Sequence, residues 1–250
     1  MINPMDLSGK HILITGASSG IGKATSITAG QLGAKLSLVA RSEDRLNETL
    51  DAIQGDIHHV YPFDLRQLDG IESLVKVIVS ENGPLDGLVN CAGVASNRPI
   101  KMVKPEFLQE VFSINFFPFV ELVRAASKKN MCNDGASFVG ISSVAAFKGN
   151  KAQGAYAASK AATDAIIKPM AKELSDRGIR VNTAAFGMIR TDMYYKYFVD
   201  AGGNDELLKE DQYLGIGEVD DAANVICFLL SRASSFITGT SLLADGGFLS

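Results

Sequence analysis

The chain is predicted to fold as an α/β protein, a parallel sheet of about seven strands with helices on both faces. Two observations carry this. Short β-type runs alternate with helical patterns from end to end, and a strand followed by a crossover helix rejoins its sheet in parallel. No linker, low-complexity tract or composition shift divides the 250 residues, so one domain over 1–250 is expected.

The expected strands are HILIT (11–15), KLSLVA (35–40), IHHVYPF (57–63), GLVN (87–90), SFVGIS (137–142), IRVNTAAF (179–186) and SLLA (241–244). Each is a short apolar run bounded by turn-forming residues. The first passes through glycines into a helix ending near Leu32 and Gly33. The second precedes a polar helix starting near Ser42. A helix of more than ten residues is expected before each later strand except the last. Residues 192–217, with Gly202 and Gly203 at their centre, read as one long irregular stretch. Loops of that length in compact domains are usually lids or disordered. Tyr194, Tyr195, Tyr197 and Phe198 favour a lid over something apolar.

Charge excludes some function classes. With 24 basic and 28 acidic residues, net −4, there is no electrostatic footprint for nucleic acid or an anionic membrane. Apolar runs are too short and broken for a membrane-spanning helix. The first ten residues contain Pro4 and Asp6 and lack the apolar core of a secretory signal, so a cytoplasmic location is expected. Cys91, Cys132 and Cys227 are odd in number and widely spaced, which fits reduced thiols. His11, His58 and His59 offer no metal-ligand spacing, and adjacent strand residues point to opposite faces. No metal site is expected.

After the first strand comes TGASSGIG, Thr15 to Gly22. Gly16 permits a tight turn, Gly20 lets backbone approach a pyrophosphate, and Gly22 lets the following helix pack closely. That helix N-terminus offers unpaired N–H groups and a positive dipole end to an anion. Gly16, Ser18, Ser19, Gly20, Ile21 and Gly22 are therefore candidate cofactor contacts in a Rossmann-type, doubly wound sheet. A P-loop is excluded, because Ala17 and Ala24 stand where its first Gly and its Ser or Thr must be. The second strand ends LVARS, without the acid that would bind a ribose 2′-hydroxyl. Arg41 can pair with a 2′-phosphate through charge-assisted hydrogen bonds, with Ser42 as a second donor. This favours NADP(H), with NAD(H) the alternative.

AYAASK places Tyr156 and Lys160 at i, i+4 on one helix face, roughly 5–6 Å apart at Cβ. A phenol with a pKa near ~10 is a poor base at neutral pH, and an adjacent ammonium favours the phenolate.

Taken with the glycine turn, this arrangement resembles the short-chain dehydrogenase/reductase family over nearly the whole chain, and the 3-oxoacyl-(acyl-carrier-protein) reductases within it. Asn90-Cys91-Ala92-Gly93 is similar to the family's NNAG segment apart from the Cys, and Asp64-Leu65 to its adenine-contacting pair. Gly187, Ile189 and Thr191 are similar to the PGxxxT segment that holds the nicotinamide amide. Asn115 sits where the family keeps a catalytic Asn. Ser143 lies thirteen residues before Tyr156, the spacing of its catalytic Ser, with Ser142 the lesser candidate.

The resemblance implies hydride transfer between nicotinamide C4 and a carbonyl or secondary alcohol. It casts Tyr156 as general acid/base and has Ser143 stabilise charge on the substrate oxygen. Lys160 is implied to lower the Tyr156 pKa and hold the ribose, and Asn115 to anchor a proton-relaying water. It also implies a homodimer or homotetramer.

Four departures stand out. Phe186 replaces the Pro of the PG segment, which should loosen the backbone there. Pro118 and Pro169 fall inside the helices expected to carry Asn115 and Tyr156, and should bend them without losing the dimer. Cys91 reads as a small buried residue.

The leading reading is a carbonyl reductase or alcohol dehydrogenase with a hydrophobic small-molecule substrate. Met188, Phe147, Gln153 and Val94 are the expected pocket contributors. A 3-oxoacyl-thioester substrate on a carrier protein would need basic surface at the pocket mouth, for which Lys128, Lys129 and Arg177 are the candidates, opposed by Asp134. Two alternatives are weaker. A nucleotide-sugar epimerase would need a further C-terminal substrate region, and an NADP(H)-sensing binding protein would typically lack Tyr156 or Lys160.

Overall fold

The computed structural model describes residues 3–55, 57–200, 202–203, 205 and 211–250. Seven strands form one sheet: β1 (His11–Thr15), β2 (Lys35–Ala40), β3 (His59–Pro62), β4 (Leu85–Asn90), β5 (Cys132–Ser143), β6 (Arg180–Phe186) and β7 (Ser241–Ala244). Their order is β3-β2-β1-β4-β5-β6-β7, and every neighbouring pair is parallel. The helices are α1 (Gly20–Gln31), α2 (Glu43–Leu50), α3 (Ile71–Asn82), α4 (Pro105–Asn115), α5 (Phe117–Ala126), α6 (Gly154–Glu173), α7 (Asp192–Tyr194) and α8 (Val219–Leu230).

The inner strands β1, β2, β4 and β6 are buried on both faces, which is why they read as unbroken runs. In β1, Ile12 and Ile14 enter a core shared with Ile226 and Leu229 of α8. Leu13, between them, enters a second core with Ile78 of α3, Leu122 of α5 and Ile167 of α6. Side-chain alternation along a strand thus feeds two helical layers. From β1 the chain winds outward to β3, then returns to β4 beside β1. That reversal opens a crevice at the carboxyl ends of β1 and β4, the general ligand position in such sheets.

Three elements differ from the sequence expectation. α2 has eight residues, shorter than the crossover expected before β3, and β7 does follow a full helix, α8. Instead of a bent helix at Pro118, the chain breaks at Phe116 into α4 and α5. Pro118 then occupies the first turn of α5, where a missing N–H costs nothing. Phe112, Phe116 and Phe117 pack around the break with ring centroids 5.7 to 6.1 Å apart. Pro169 does lie inside α6. Residues 192–217 begin with α7 and a π-helical turn, Tyr195–Val199; residues 201, 204 and 206–210 of that expected lid lie outside the described residues.

Phe186 does not loosen its segment. It is 3% exposed and paired in register with Ser143 on one side and Ala244 on the other. A proline could not donate to that ladder, so a Phe here lets β6 run on to the edge of the crevice.

Candidate active site

A cavity of about 710 Å³ lies over the carboxyl ends of β1, β2, β4, β5 and β6. The turn after β1 forms its floor. Gly16 has φ +65°, and a Cβ there would stand 2.8 Å from Ala92 N. A Cβ on Gly22 would stand 2.2 Å from Gly16 O. Neither position can carry a side chain, so backbone N–H groups and the α1 N-terminus face the cavity directly. This cradle fits a pyrophosphate. Ser18, Ser19, Gly20 and Ile21 line it too.

Beyond the turn, Arg41, Ser42, Asp64 and Leu65 line the same cavity. Ser42 also caps α2, accepting from Arg45 N. Arg45 and Arg66, which the sequence reading passed over, stand beside them. Arg66 grips Asp64 through Nε at 3.0 Å and Nη2 at 2.5 Å, and these bonds hold the Asp64 carboxyl below its usual range. The two-residue spacing of that pair was visible in the sequence.

On the β4 side Ala92, Gly93 and half-buried Cys91 reach the cavity. Burial pushes the Cys91 thiol up to about 12, so it stays protonated. Asn90 stands behind them, 3% exposed, and accepts the Thr15 hydroxyl at 2.7 Å. That bond ties β1 to β4 at the switch point.

Ser143, Tyr156 and Lys160 converge on the opposite wall. Ser143 ends β5, and its hydroxyl oxygen accepts from Ala145 N at 3.2 Å. Tyr156 and Lys160 sit one turn apart on α6, with Lys160 Nζ 5.8 Å from the Tyr156 ring centroid. Lys160 is 5% exposed and donates to Ile141 O at 2.7 Å. Burial lowers its pKa to about 8, opposed by the charge of Asp164. Burial also raises the Tyr156 pKa, and a hydrogen bond with Ser143 partly offsets this. In the chain alone, therefore, burial outweighs the Ser143 bond in setting the direction of the Tyr156 shift.

Asn115 is 2% exposed and stands behind the wall. Its Oδ1 accepts from Val94 N at 2.8 Å, while Nδ2 donates to Val94 O and Ser159 Oγ, both at 3.0 Å. Its two donors are thus committed to protein, and it fixes the loop after β4 against α6. Asp164, one turn beyond Lys160, accepts from Ser142 at 2.7 Å and Thr183 at 2.6 Å. Sequence reasoning missed it, although its i, i+4 spacing from Lys160 was legible.

Gly187, Ile189 and Thr191 line the remaining side with Met188. Thr191 caps α7, its Oγ1 accepting from Tyr194 N at 3.2 Å. Of the aromatic cluster, Tyr194, Tyr197 and Phe198 reach the cavity, with Tyr194 and Phe198 stacked at 5.4 Å. Tyr195 is turned away and half exposed. Val94 and Gln153 line the cavity as expected; Phe147 does not, and is 53% exposed.

The basic residues considered for a carrier protein are misplaced for that task. Lys128, Lys129 and Arg177 lie in the turns before β5 and β6, at the amino edge of the sheet and opposite the cavity. Lys128 is paired with Glu72 and Arg177 with Asp134. Among the described residues, no helix is long and apolar enough to cross a membrane.

Residues 16–249 match the family model described as enoyl-(acyl carrier protein) reductase. A 3-oxoacyl-(acyl-carrier-protein) reductase of Thermotoga maritima is 34% identical over 98% of this chain and 100% of its own. A 7alpha-hydroxysteroid dehydrogenase of Escherichia coli is 32% identical over 96% of this chain and 94% of its own. Among solved structures, a short-chain dehydrogenase/reductase from Serratia marcescens superposes with a TM-score of 0.90 at 28% identity, covering 98% of this chain and 100% of that one. Another from Mycobacterium ulcerans gives 0.88 at 32% identity, with 98% and 91% covered. With the seven-stranded sheet, the glycine turn and the Ser143–Tyr156–Lys160 wall, these matches show that the chain belongs to the short-chain dehydrogenase/reductase family of oxidoreductases.

Proposed function

We propose that the protein is an NADP(H)-dependent oxidoreductase that interconverts an apolar ketone and its secondary alcohol. The observation that carries this is the convergence of Ser143, Tyr156 and Lys160 on one wall of a cavity whose floor is the glycine turn. A bound nicotinamide dinucleotide supplies or accepts the hydride.

The chain's own groups then divide the remaining work. Tyr156, held as a phenol by burial, donates its proton to the carbonyl oxygen during reduction and recovers one afterwards. Ser143 donates a hydrogen bond to the same oxygen as charge builds there. Lys160 keeps a positive charge beside the phenol, which eases loss of its proton when required. Arg41 and Ser42 receive a 2′-phosphate, Arg41 through paired guanidinium hydrogen bonds, and this favours NADP(H) over NAD(H). Asp64 and Leu65 meet the adenine; Gly187, Ile189 and Thr191 meet the nicotinamide amide. The substrate end is walled by Val94, Ile114, Met188, Tyr197 and Phe198, a surface suited to an apolar body.

The test is NADPH oxidation, followed by absorbance, against ketones, quinones and 3-oxoacyl thioesters. Tyr156→Phe should lower turnover on any accepted substrate by at least ~100-fold while dinucleotide affinity persists. Equal rates for the two proteins would overturn the assignment.

A further inference from the structure

Gln212 is 2% exposed, although it lies in the return segment of the 192–217 stretch. Its side-chain amide is spent on backbone at both ends of that stretch. Oε1 accepts from Met188 N at 2.9 Å, while Nε2 donates to Met188 O at 3.2 Å and to Gly215 O at 2.5 Å. Two glycines make room for it. A Cβ on Gly187 would stand 2.4 Å from Gln212 Oε1, and one on Gly246 would stand 2.9 Å from Gln212 Cγ.

The same two strips of chain are also stitched by backbone. Gly217 N donates to Met188 O at 3.0 Å and Arg190 N to Gly217 O at 2.9 Å, and Ile189 bridges Gly217 in parallel. Gln212 itself does not line the cavity, whereas Gly187, Met188, Ile189 and Thr191 do. A buried amide that satisfies a donor and two acceptors at once is costly to replace by any apolar group of its size. Its removal would free the cavity-lining strip at Met188, while the glycine turn, which meets only the Thr191 end of that strip at Gly20, keeps its own backbone supports from Val39 and Ser19.

We propose that Gln212 is a positioning residue: it holds the Gly187–Thr191 strip in the shape that receives the nicotinamide half of the dinucleotide, and pins both ends of the 192–217 stretch while doing so. This rests on the dinucleotide reading given above. It predicts an effect confined to one half of the ligand.

The experiment compares two probes on wild type, Gln212→Leu and Gln212→Glu. NADPH carries the nicotinamide half; adenosine 2′,5′-bisphosphate lacks it. Isothermal titration calorimetry should show NADPH binding about tenfold weaker (~1.4 kcal/mol) in Gln212→Leu, with bisphosphate affinity within twofold of wild type. Gln212→Glu keeps the acceptor for Met188 N and turns a carboxylate toward two carbonyls, so it should show the same selective loss. It carries the comparison if the Leu variant does not fold. Equal losses on both probes, or none on either, would overturn the proposal. A wild type that binds neither NADPH nor NADH would overturn the dinucleotide reading itself, which is a separate outcome.

Discussion

The Asp164 carboxylate accepts the Ser142 hydroxyl at 2.7 Å, which joins the middle of α6 to the strand that delivers Ser143. Its second oxygen takes Thr183 of β6, so three elements meet on one side chain. Asp164 also counters the burial that drags Lys160 down. Asp164→Asn should therefore lower the Lys160 pKa further below about 8. On the proposed mechanism, the alkaline limb of the pH–rate profile moves to lower pH. An alkaline limb that stays in place would count against this electrostatic role.

Lys160 also sets a stability trend. Its folded pKa is about 8, below its ordinary 10.5, so between those values the folded chain binds fewer protons than the unfolded one. Stability from this group therefore rises with pH across that window, and the deficit is complete below about 8. Lys160→Met removes the buried ammonium and keeps most of the stem. Thermal melts without cofactor should show a higher Tm than wild type at neutral pH, with the gap closing towards pH ~10, although turnover is lost. A variant that melts lower than wild type at neutral pH would contradict this.

Arg41→Ala should raise KM for NADPH far more than for NADH, since only the former has a 2′-phosphate to lose. Steady-state kinetics with both coenzymes decides it. An unchanged ratio would remove Arg41 from the phosphate site.

Arg177 supplies a contrast. Its guanidinium donates to Ser127 O at 2.9 Å, Cys132 O at 2.6 Å and Asp134 at 2.8 Å. Arg177→Ala should cost about 1–3 kcal/mol of stability, seen as a lower Tm, with kcat unchanged. A fall in kcat at a temperature well below the melt would refute the separation of that edge from the chemistry.

The homodimer or homotetramer implied by the family should appear in light scattering at working concentration as at least twice the mass of the chain. A monomer would remove it.

The sheet, its parallel sense and the glycine turn were legible because both signals are local: buried strands are short apolar runs, and Gly16 and Gly22 sit where a Cβ would stand within 3 Å of backbone. Helical spacing put Tyr156 and Lys160 on one face, but only the glycine turn and the family resemblance marked that face as a reacting centre. The helix break at Phe116 was not, since Pro118 reads the same in a kink as in a first turn. Placing Lys128 and Arg177 needed the strand direction, which decides the edge on which a turn emerges. Gln212 carried no signal, because its bonds to the cavity-lining strip are to the backbone of Met188, 24 residues away.

The two edges of the sheet also set what can be changed. Cavity-lining groups such as Val94, Met188 and Phe198 belong to the carboxyl edge, while Arg177 and the His11–Ser37 hydrogen bond lie at the amino edge. Rewriting the cavity can thus proceed at one rim, with the opposite rim left as a fixed foundation against the destabilisation that such rewriting brings.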